Sequence, residues 1–355
     1  MTGRDTTTAA ELVTIDPRTD DRWRRLLRHT RTDVFHSPAW MSVLADTYDL
    51  EPRARLLLDD RRDPIAGLPY VDLRDFLGPR RSTMPFSDFC DPVVAGEDQW
   101  ALLTDGMDDD TPWTIRCLRS EAPAGDGRFE EVGSAHWHRI DTARPVDEMW
   151  DSLHPAARRA IRKAQKSNVE VVVASEAEHL RHFYELHRGV RRHKYGLLAQ
   201  PFSFFENIWT RFMDQDRGIL LLSMVEGAPA GGILFLEWGD TLYYKFNASH
   251  PDHLDRRPND LALWEGMQHA HARNLHWVDM GASDVDQPGL VSYKEKYATD
   301  RGTIRTFRSP TGWSPSDETR LAKRTLGDVT GLFVDRGVPD HVVDQAGALL
   351  YRFFG

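Results

Sequence analysis

The residues with the most chemistry in them sit in a segment broken by glycine and proline. The stretch 279–298 reads Asp-Met-Gly-Ala-Ser-Asp-Val-Asp-Gln-Pro-Gly-Leu-Val-Ser-Tyr-Lys-Glu-Lys-Tyr-Ala. It follows the apolar run Leu275 to Val278, which reads as a buried strand, and Gly281, Pro288 and Gly289 force the chain to turn. A strand followed by an irregular loop brings a cationic side chain, Lys294, to a cleft. Lys294 and Lys296 share a face in a strand and diverge in a helix, so one of the two points at a ligand. An ammonium so placed suits acyl transfer to an amine. That reaction needs two oriented substrates and stabilisation of a developing oxyanion, and no protein nucleophile. Tyr293 or Tyr297 can stack on or bond to the donor. The plain alternative is a solvated lysine between core tyrosines.

Other residues offer further chemistry, each beside a plainer reading. In Pro155 to Lys166, Arg158, Arg162 and Lys166 recur at helical spacing on one face, with Arg159 and Lys163 beside them. Ala157, Ile161 and Ala164 form a narrow apolar face. Five cations and no acid in nine residues repel one another, and a nearby anion relieves that repulsion. The stripe is either a dock for phosphates or a solvated face. In Tyr243-Tyr244-Lys245-Phe246-Asn247, strand alternation sends Tyr243, Lys245 and Asn247 to one side, where Lys245 and Asn247 either bind an acceptor carboxylate or carbonyl or face water. Asp88 and Asp91, three apart among aromatics, either hold a substrate amine or, at Asp91, cap a turn before Pro92. Asn259 and Asp260 are first of all N-cap candidates.

Several chemistries find no support. Fifteen histidines invite a metal, but His269 and His271 diverge on a helix, His182 and His187 are five apart, and no His-Glu-x-x-His occurs. There is no nucleophile elbow and no Gly-x-x-x-x-Gly-Lys-Ser/Thr phosphate loop. Gly231-Gly232 lies inside a strand, where a bulge or close backbone approach is the ordinary reading. Neither a metal nor a tightly bound cofactor is expected.

Asp279-x-Gly281, then Gly289-Leu290, then Tyr293-Lys294-x-x-Tyr297-Ala298 resembles the Asp-x-Gly, Gly-Leu, Phe-Lys-x-x-Phe-Gly series of Fem-type aminoacyltransferases and their BioF2-like (Acetyltransf_6) relatives, within the GNAT acetyltransferase fold. Phe35-x-Ser37-x-x-Trp40 and Arg158-x-x-Ile161-Arg162-Lys163-Ala164 resemble the start and the domain junction of the same family. The chain departs from the pattern in having Tyr293 and Tyr297 for phenylalanines and Ala298 for glycine. Ala tolerates positive φ poorly, so a turn needing Gly there must differ here. The resemblance implies that Lys294 serves the oxyanion and that the donor is aminoacyl-tRNA, its phosphates met by Arg158, Arg159, Arg162, Lys163 and Lys166. The acceptor is then an amine, a cell-wall precursor or a secondary metabolite. The alternative donor is acyl-CoA or an acyl carrier. GNAT enzymes place the CoA pyrophosphate at a Gly/Arg-rich turn before a helix, and this chain has Arg256 and Arg257 there without glycine. A third reading is a catalytically idle GNAT pair that binds a nucleotide-sugar or peptide.

The elements that must position these residues follow from periodicity and composition. At 355 residues and 40% hydrophobic content, the chain can bury two ordinary cores. The net charge of −10 excludes a protein basic over its whole surface while allowing a local stripe. Two cysteines, Cys90 and Cys117, form no disulfide framework, the first ten residues are polar and read as disordered, and no apolar run approaches the ~20 residues that span a bilayer. A cytoplasmic protein without a membrane span is expected, and the Arg- and Asp-rich composition points to a high-GC bacterium. Helices are expected at 20–29, from Pro38 behind an N-cap at Ser37, and at 155–166, 176–192, 204–213 and 259–273. Strands 53–59 and 64–71 should form a hairpin, and 219–225, 230–238 and 241–248 an antiparallel meander with tight turns. Further strands are expected at 113–118, 129–140, 169–174 and 301–307. The fold class is α/β with an α+β mixed sheet, as two GNAT-like domains in tandem, 1–145 and 146–310 with the transfer site in the second. The tail 311–355 is expected to pack its Leu349, Leu350, Phe353 and Phe354 face on the first domain.

Overall fold

The computed structural model describes residues 10–107 and 111–355, so most of the stretch expected to be disordered lies outside the described residues. The chain divides into two compact units. The first comprises Met1–Ala45, Asp49–Ser134 and Ile304–Pro315, the second Asp46–Tyr48, Ala135–Thr303 and Ser316–Gly355. These bounds differ from the expected 145 and 310: the chain enters the second unit midway along one strand and returns to the first midway along another.

The first unit contains β1 (Glu11–Ile15), α1 (Asp21–His29), most of α2 (Pro38–Tyr48), β2 (Pro52–Leu58), β3 (Pro64–Asp75), β4 (Gly78–Ser82), α3 (Glu97–Leu103), β5 (Trp113–Cys117) and the start of β6 (Glu130–Asp141). Each expected element forms for the reason the pattern gives. Trp23, Leu26 and Leu27 of α1 are buried, the Ser37 side chain accepts from Trp40 N with Pro38 in the first turn of α2, and β2 and β3 pair as an antiparallel hairpin. β1, β4 and α3 carry too weak a periodicity to be read from sequence.

The second unit holds α4 (Val146–Ser152), α5 (Pro155–Lys166), β7 (Val169–Val173), α6 (Ala177–Gly189), α7 (Phe202–Arg211), β8 (Gly218–Val225), β9 (Ala228–Trp238), β10 (Thr241–Ser249), α8 (Pro258–Ala272), β11 (Trp277–Asp284), α9 (Pro288–Glu295) and the start of β12 (Asp300–Ser309). α10 (Asp317–Phe333) and α11 (Asp340–Leu350) follow. The second half of β12 lies in the first unit, antiparallel to β5 from Arg305↔Cys117 to Ser309↔Trp113. The expected meander is β8-β9-β10, and β10 then runs parallel to β11 for three pairs, Thr241↔Trp277 to Tyr243↔Asp279. Ala157, Ile161 and Ala164 of α5 and Leu261 to Met267 of α8 bury one face of this sheet with Ile233, Phe235, Val278 and Met280. Gly231 marks a close approach: a Cβ there would meet Asn259 Oδ1 at 2.4 Å. The α/β class with a mixed sheet is the class expected.

The tail is a correction. Residues 316–355 belong to the second unit and pack on α6, because the Arg188 guanidinium meets Asp340 at 2.8 Å and Asp344 at 2.9 Å, and Arg192 meets Asp340 at 2.7 Å. Its buried residues include Leu326, Val343, Ala346 and Tyr351, while Leu349 and Phe354 stay exposed. An apolar face alone does not say what covers it; the charge pairing with α6 does.

Candidate functional site

β6 and β11 are antiparallel, Val278 opposite Ile140 and Ser283 opposite His136, with an irregularity between Asp279 and Ala282. The irregularity is held from one face. Asp279 accepts from Trp137 Nε1 at 2.8 Å and from Gly281 N at 2.7 Å, and Gly281 takes a φ of +67°, which favours glycine. Paired residues share a face and alternate residues return to it. The other face therefore carries Ile140, His138 and His136 on β6 with Val278, Met280 and Ser283 on β11. Along it the character changes from core, at Ile140, Val278 and Met280, through buried polar groups at His138 and Ser283, to exposed His136.

Lys294 reaches this place from α9. Where a loop was expected, Pro288 at the helix start opens a helix over Pro288–Glu295, so Lys294 and Lys296 diverge. Lys294 is only 2% exposed; Nζ donates to Gly281 O at 3.1 Å and to Ala282 O at 2.7 Å. The bulge that Asp279 braces thus supplies both carbonyls. His138 is equally buried, its Nδ1 without a partner among the described residues, as is Ser283 Oγ. Burial, and after it the charge of Lys294, lowers the His138 pKa to about 4, which keeps the imidazole neutral.

The tyrosines form a second polar array. Tyr297 OH donates to Asp260 Oδ1 at 2.6 Å and Tyr293 OH to Asn259 O at 3.4 Å; Tyr244 is hydrogen-bonded to both Tyr293 and Asn247. Burial holds the Tyr244, Tyr293 and Tyr297 hydroxyls above the usual phenol range and raises the Asp260 carboxyl. Asn247 and Ser249 line a cavity of 960 Å³, bounded also by His182 and Glu185 of α6, by Tyr195 beyond it, and by His250, Pro251, His253 and Leu254. Tyr243 is buried, and Lys245, at the β10 irregularity, lies 5.6 Å from the Phe246 ring.

The cationic stripe is a helix face. Arg159, Arg162, Lys163 and Lys166 are exposed; Arg158 meets Asp151 at 3.6 Å and Arg162 lies over the Trp150 ring. Arg159, Lys163 and Lys166 form no ion pair among the described residues. The start of α5 adjoins the lysine segment, His154 N donating to Lys296 O at 3.1 Å. Arg256 is held by Glu226 at 3.0 Å, and Arg257 is exposed with φ +61° ahead of Pro258. In the first unit the Asp91 carboxylate accepts from Leu118, Arg119 and Ser120 N–H at 2.7–3.2 Å, which matches its plainer reading as a cap, and Asp91 lines a cavity of 650 Å³ with Asp33, His36 and Arg119. Asp88, on the same segment, is half-buried. Sequence reasoning missed His138 and Ser283; the alternation His136-Trp137-His138-Arg139-Ile140 already placed His138 on the core face, and a polar ring there was the available signal. Among the described residues no three His, Cys, Asp or Glu side chains are grouped to hold a metal ion, and no helix is long and apolar enough to cross a membrane.

Residues 154–295 match the family described as acetyltransferase (GNAT) domain, a span that runs from the N-cap of α5 to the end of α9. Among solved structures the chain is similar to FemX, at 15% identity over 83% of this chain and 96% of that one, with a TM-score of 0.65. It is similar to a tandem GNAT protein from the clavulanic acid biosynthesis pathway at 15% identity, 86% and 100% coverage and a TM-score of 0.52. It is also similar to the C-terminal domain of a proposed lysylphosphatidylglycerol synthetase of Agrobacterium fabrum, at 12% identity, 90% and 98% coverage and a TM-score of 0.53. At these identities the likeness is one of fold. No curated protein sequence matches the chain.

Proposed function

From the premise that residues 154–295 are a GNAT domain and the chain a GNAT-type acyltransferase, we propose that it moves an amino acid from aminoacyl-tRNA to an amine, forming an amide. The observation that carries the reading is the Lys294 ammonium, buried and anchored on two carbonyls of the β11 bulge. A fixed positive charge in a low-dielectric site stabilises an oxyanion far better than one in water. Tyr293 and Tyr297 hold α9 against α8, which fixes the position of that charge. Asn247 and the cavity beside it receive the acceptor, and Lys245 and Tyr243 support that strand.

The choice of donor rests on two helices. α5 presents Arg159, Lys163 and Lys166 without ion partners among the described residues, one hydrogen bond from the Lys294 segment, as a tRNA backbone requires. The start of α8 suits a pyrophosphate poorly. Pro258 has no N–H to donate, the buried carboxyl of Asp260 already occupies the first turn, and Arg256 is engaged by Glu226. The names FemX and lysylphosphatidylglycerol synthetase, borne by two proteins of similar fold, agree with aminoacyl transfer. The family description, acetyltransferase, favours an acyl-CoA donor as the second reading.

Incubation with charged tRNA and a panel of amines should release amino acid in an acceptor-dependent, ribonuclease-sensitive way. Ribonuclease insensitivity together with a calorimetric signal for CoA would transfer the assignment to the second reading.

A further inference from the structure

We infer that His138 is the base of the acyl transfer, its imidazole taking the proton from the acceptor nitrogen as the new C–N bond forms and returning it to the departing donor oxygen. This rests on the acyl-transfer reading above and adds a residue to it. Formation of the amide from an ester and an amine must shed one proton from nitrogen and supply one to the leaving hydroxyl. The acceptor nitrogen bonds to the acyl carbon, the carbonyl electrons move onto oxygen beside Lys294, and the N–H proton passes to His138. When the carbonyl re-forms, the C–O bond breaks and the proton goes to the leaving oxygen. Atoms and charge balance with no co-reactant.

Three observations carry it. His138 is 2% exposed with Nδ1 unpartnered, and Ser283, on the same face of the β6–β11 pair, is 1% exposed with Oγ unpartnered. Buried polar atoms are rarely left so, and two on one face mark a place where a ligand supplies the partners. Lys294 Nζ is bonded to the Gly281 and Ala282 carbonyls of the β11 irregularity, and His138, between Arg139 opposite Asp279 and Trp137 opposite Ala282, is the β6 residue facing that irregularity, so base and oxyanion donor belong to one stretch of the strand pair. Finally, the His136 ring is exposed and lies 6.4 Å from the His138 ring, centroid to centroid, which gives the proton a way to water.

The neighbours tune the base. Lys294, His136 and Arg301 disfavour the imidazolium, and Glu295 favours it. At rest the ring is therefore neutral, the form that accepts a proton. An oxyanion beside Lys294 cancels that ammonium's field and makes the ring more basic when the proton must move.

The test uses the full chain with charged tRNA and an amine acceptor. His138→Gln, which keeps a polar side chain of similar reach, should lower kcat roughly 10²–10⁴-fold with KM little changed, and Ser283→Ala should lower it less. NMR titration of the His138 ring should give a value near 4 that rises in Lys294→Met. A kcat per folded molecule within about threefold of wild type in His138→Gln overturns the inference and leaves the acyl-transfer reading standing. So does a loss explained by folded fraction alone, or a ring whose titration ignores Lys294. Wild-type protein that transfers nothing from either charged tRNA or acyl-CoA overturns both.

Discussion

The two units are built in the same order, and they differ in how the chain continues past the two parallel strands at the middle of each. In the first unit β4 and β5 pair at Arg81↔Trp113 and Ser82↔Thr114, and the chain then stays on β5. Thr83 N donates to Thr114 O at 3.0 Å and Cys90 N to Arg116 O at 2.9 Å. Phe89, with no exposed surface, packs edge-on to Phe35 at 5.4 Å, and Asp91 takes three backbone N–H groups of the turn after β5. In the second unit β10 and β11 part after three pairs, and further along β10 Asn247 and Ser249 line the 960 Å³ cavity with residues of α6, Ala228 and Pro229 of β9 and the turn after β10. Each unit thus has a cavity beside this region, 650 Å³ in the first, lined by Asp91 to Glu97 and Arg119 to Ala122, and 960 Å³ in the second; what differs is that the first unit's segment is tied to its gap strand by backbone and core. Only the second carries a lysine on the helix after the gap strand.

Tying the segment after β4 to the core has a measurable consequence. Phe89→Ala should cost roughly 3–5 kcal/mol, read as a lower urea midpoint, whereas Asn247→Ala in the second unit should cost about 1 kcal/mol or less. Equal costs would remove the distinction between the core segment after β4 and the cavity-lining end of β10. The reverse contrast holds for rate. Lys294→Met should slow transfer about 10²–10³-fold with the fold retained, while Asp91→Asn in the first unit should alter stability and leave the rate per folded molecule unchanged. A large rate loss in Asp91→Asn would mean that the first unit's turn takes part in chemistry after all.

The stripe on α5 sharpens the comparison further, since in the arginine run of the first unit's α1 Arg22 is paired with Asp20 and Arg24 with Asp21, whereas Arg159, Lys163 and Lys166 form no ion pair among the described residues. Arg159→Glu, Lys163→Glu and Lys166→Glu together should weaken tRNA binding roughly 10–100-fold and flatten its salt dependence by about 0.7–0.9 per lost phosphate contact. Because these side chains are exposed, stability should move by no more than about 0.5 kcal/mol each. Filter binding across a salt series checks it; an unchanged slope would return the stripe to a solvated face.

What could be read from sequence, and what could not, divides along the reach of each signal. The meander β8-β9-β10 was legible because alternation and Glu226-Gly227 and Gly239-Asp240 turns are local. So was α5, whose Ala157, Ile161 and Ala164 repeat over one face. Lys294 was legible as a residue and illegible in its surroundings: Pro288 and Gly289 signal a break, and the same proline equally begins a helix. The two carbonyls that hold it come from a bulge braced by Trp137, a residue 142 positions before Asp279. His138 escaped notice for the same reason, since nothing within its own strand reveals that it lies opposite the β11 irregularity on which Lys294 is anchored. The tail's place depended on Arg188 and Arg192 meeting Asp340 and Asp344, and two charges far apart in sequence declare no pairing.

Acid separates the units more gently. His187, buried on α6 and bonded through Nε2 to Gln200 Oε1 at 2.7 Å, has its pKa lowered by burial to about 4. Unfolded, a histidine binds its proton near 6.5. Between these values the unfolded chain holds more protons, so stability is complete above about pH 6.5 and declines as pH falls towards 4, by about 1.4 kcal/mol at pH 5.5. In the first unit Asp91 works the other way. Burial raises its pKa, so below that raised value and down to the unfolded one the folded form holds the extra proton and gains as pH falls. His187→Phe should therefore flatten the pH dependence of unfolding between 4 and 6.5, at the cost of the Gln200 bond, and Asp91→Asn should not flatten it there. Urea midpoints at pH 7.5 and 5.5 decide the matter: an undiminished slope in His187→Phe would place the acid sensitivity elsewhere than at His187.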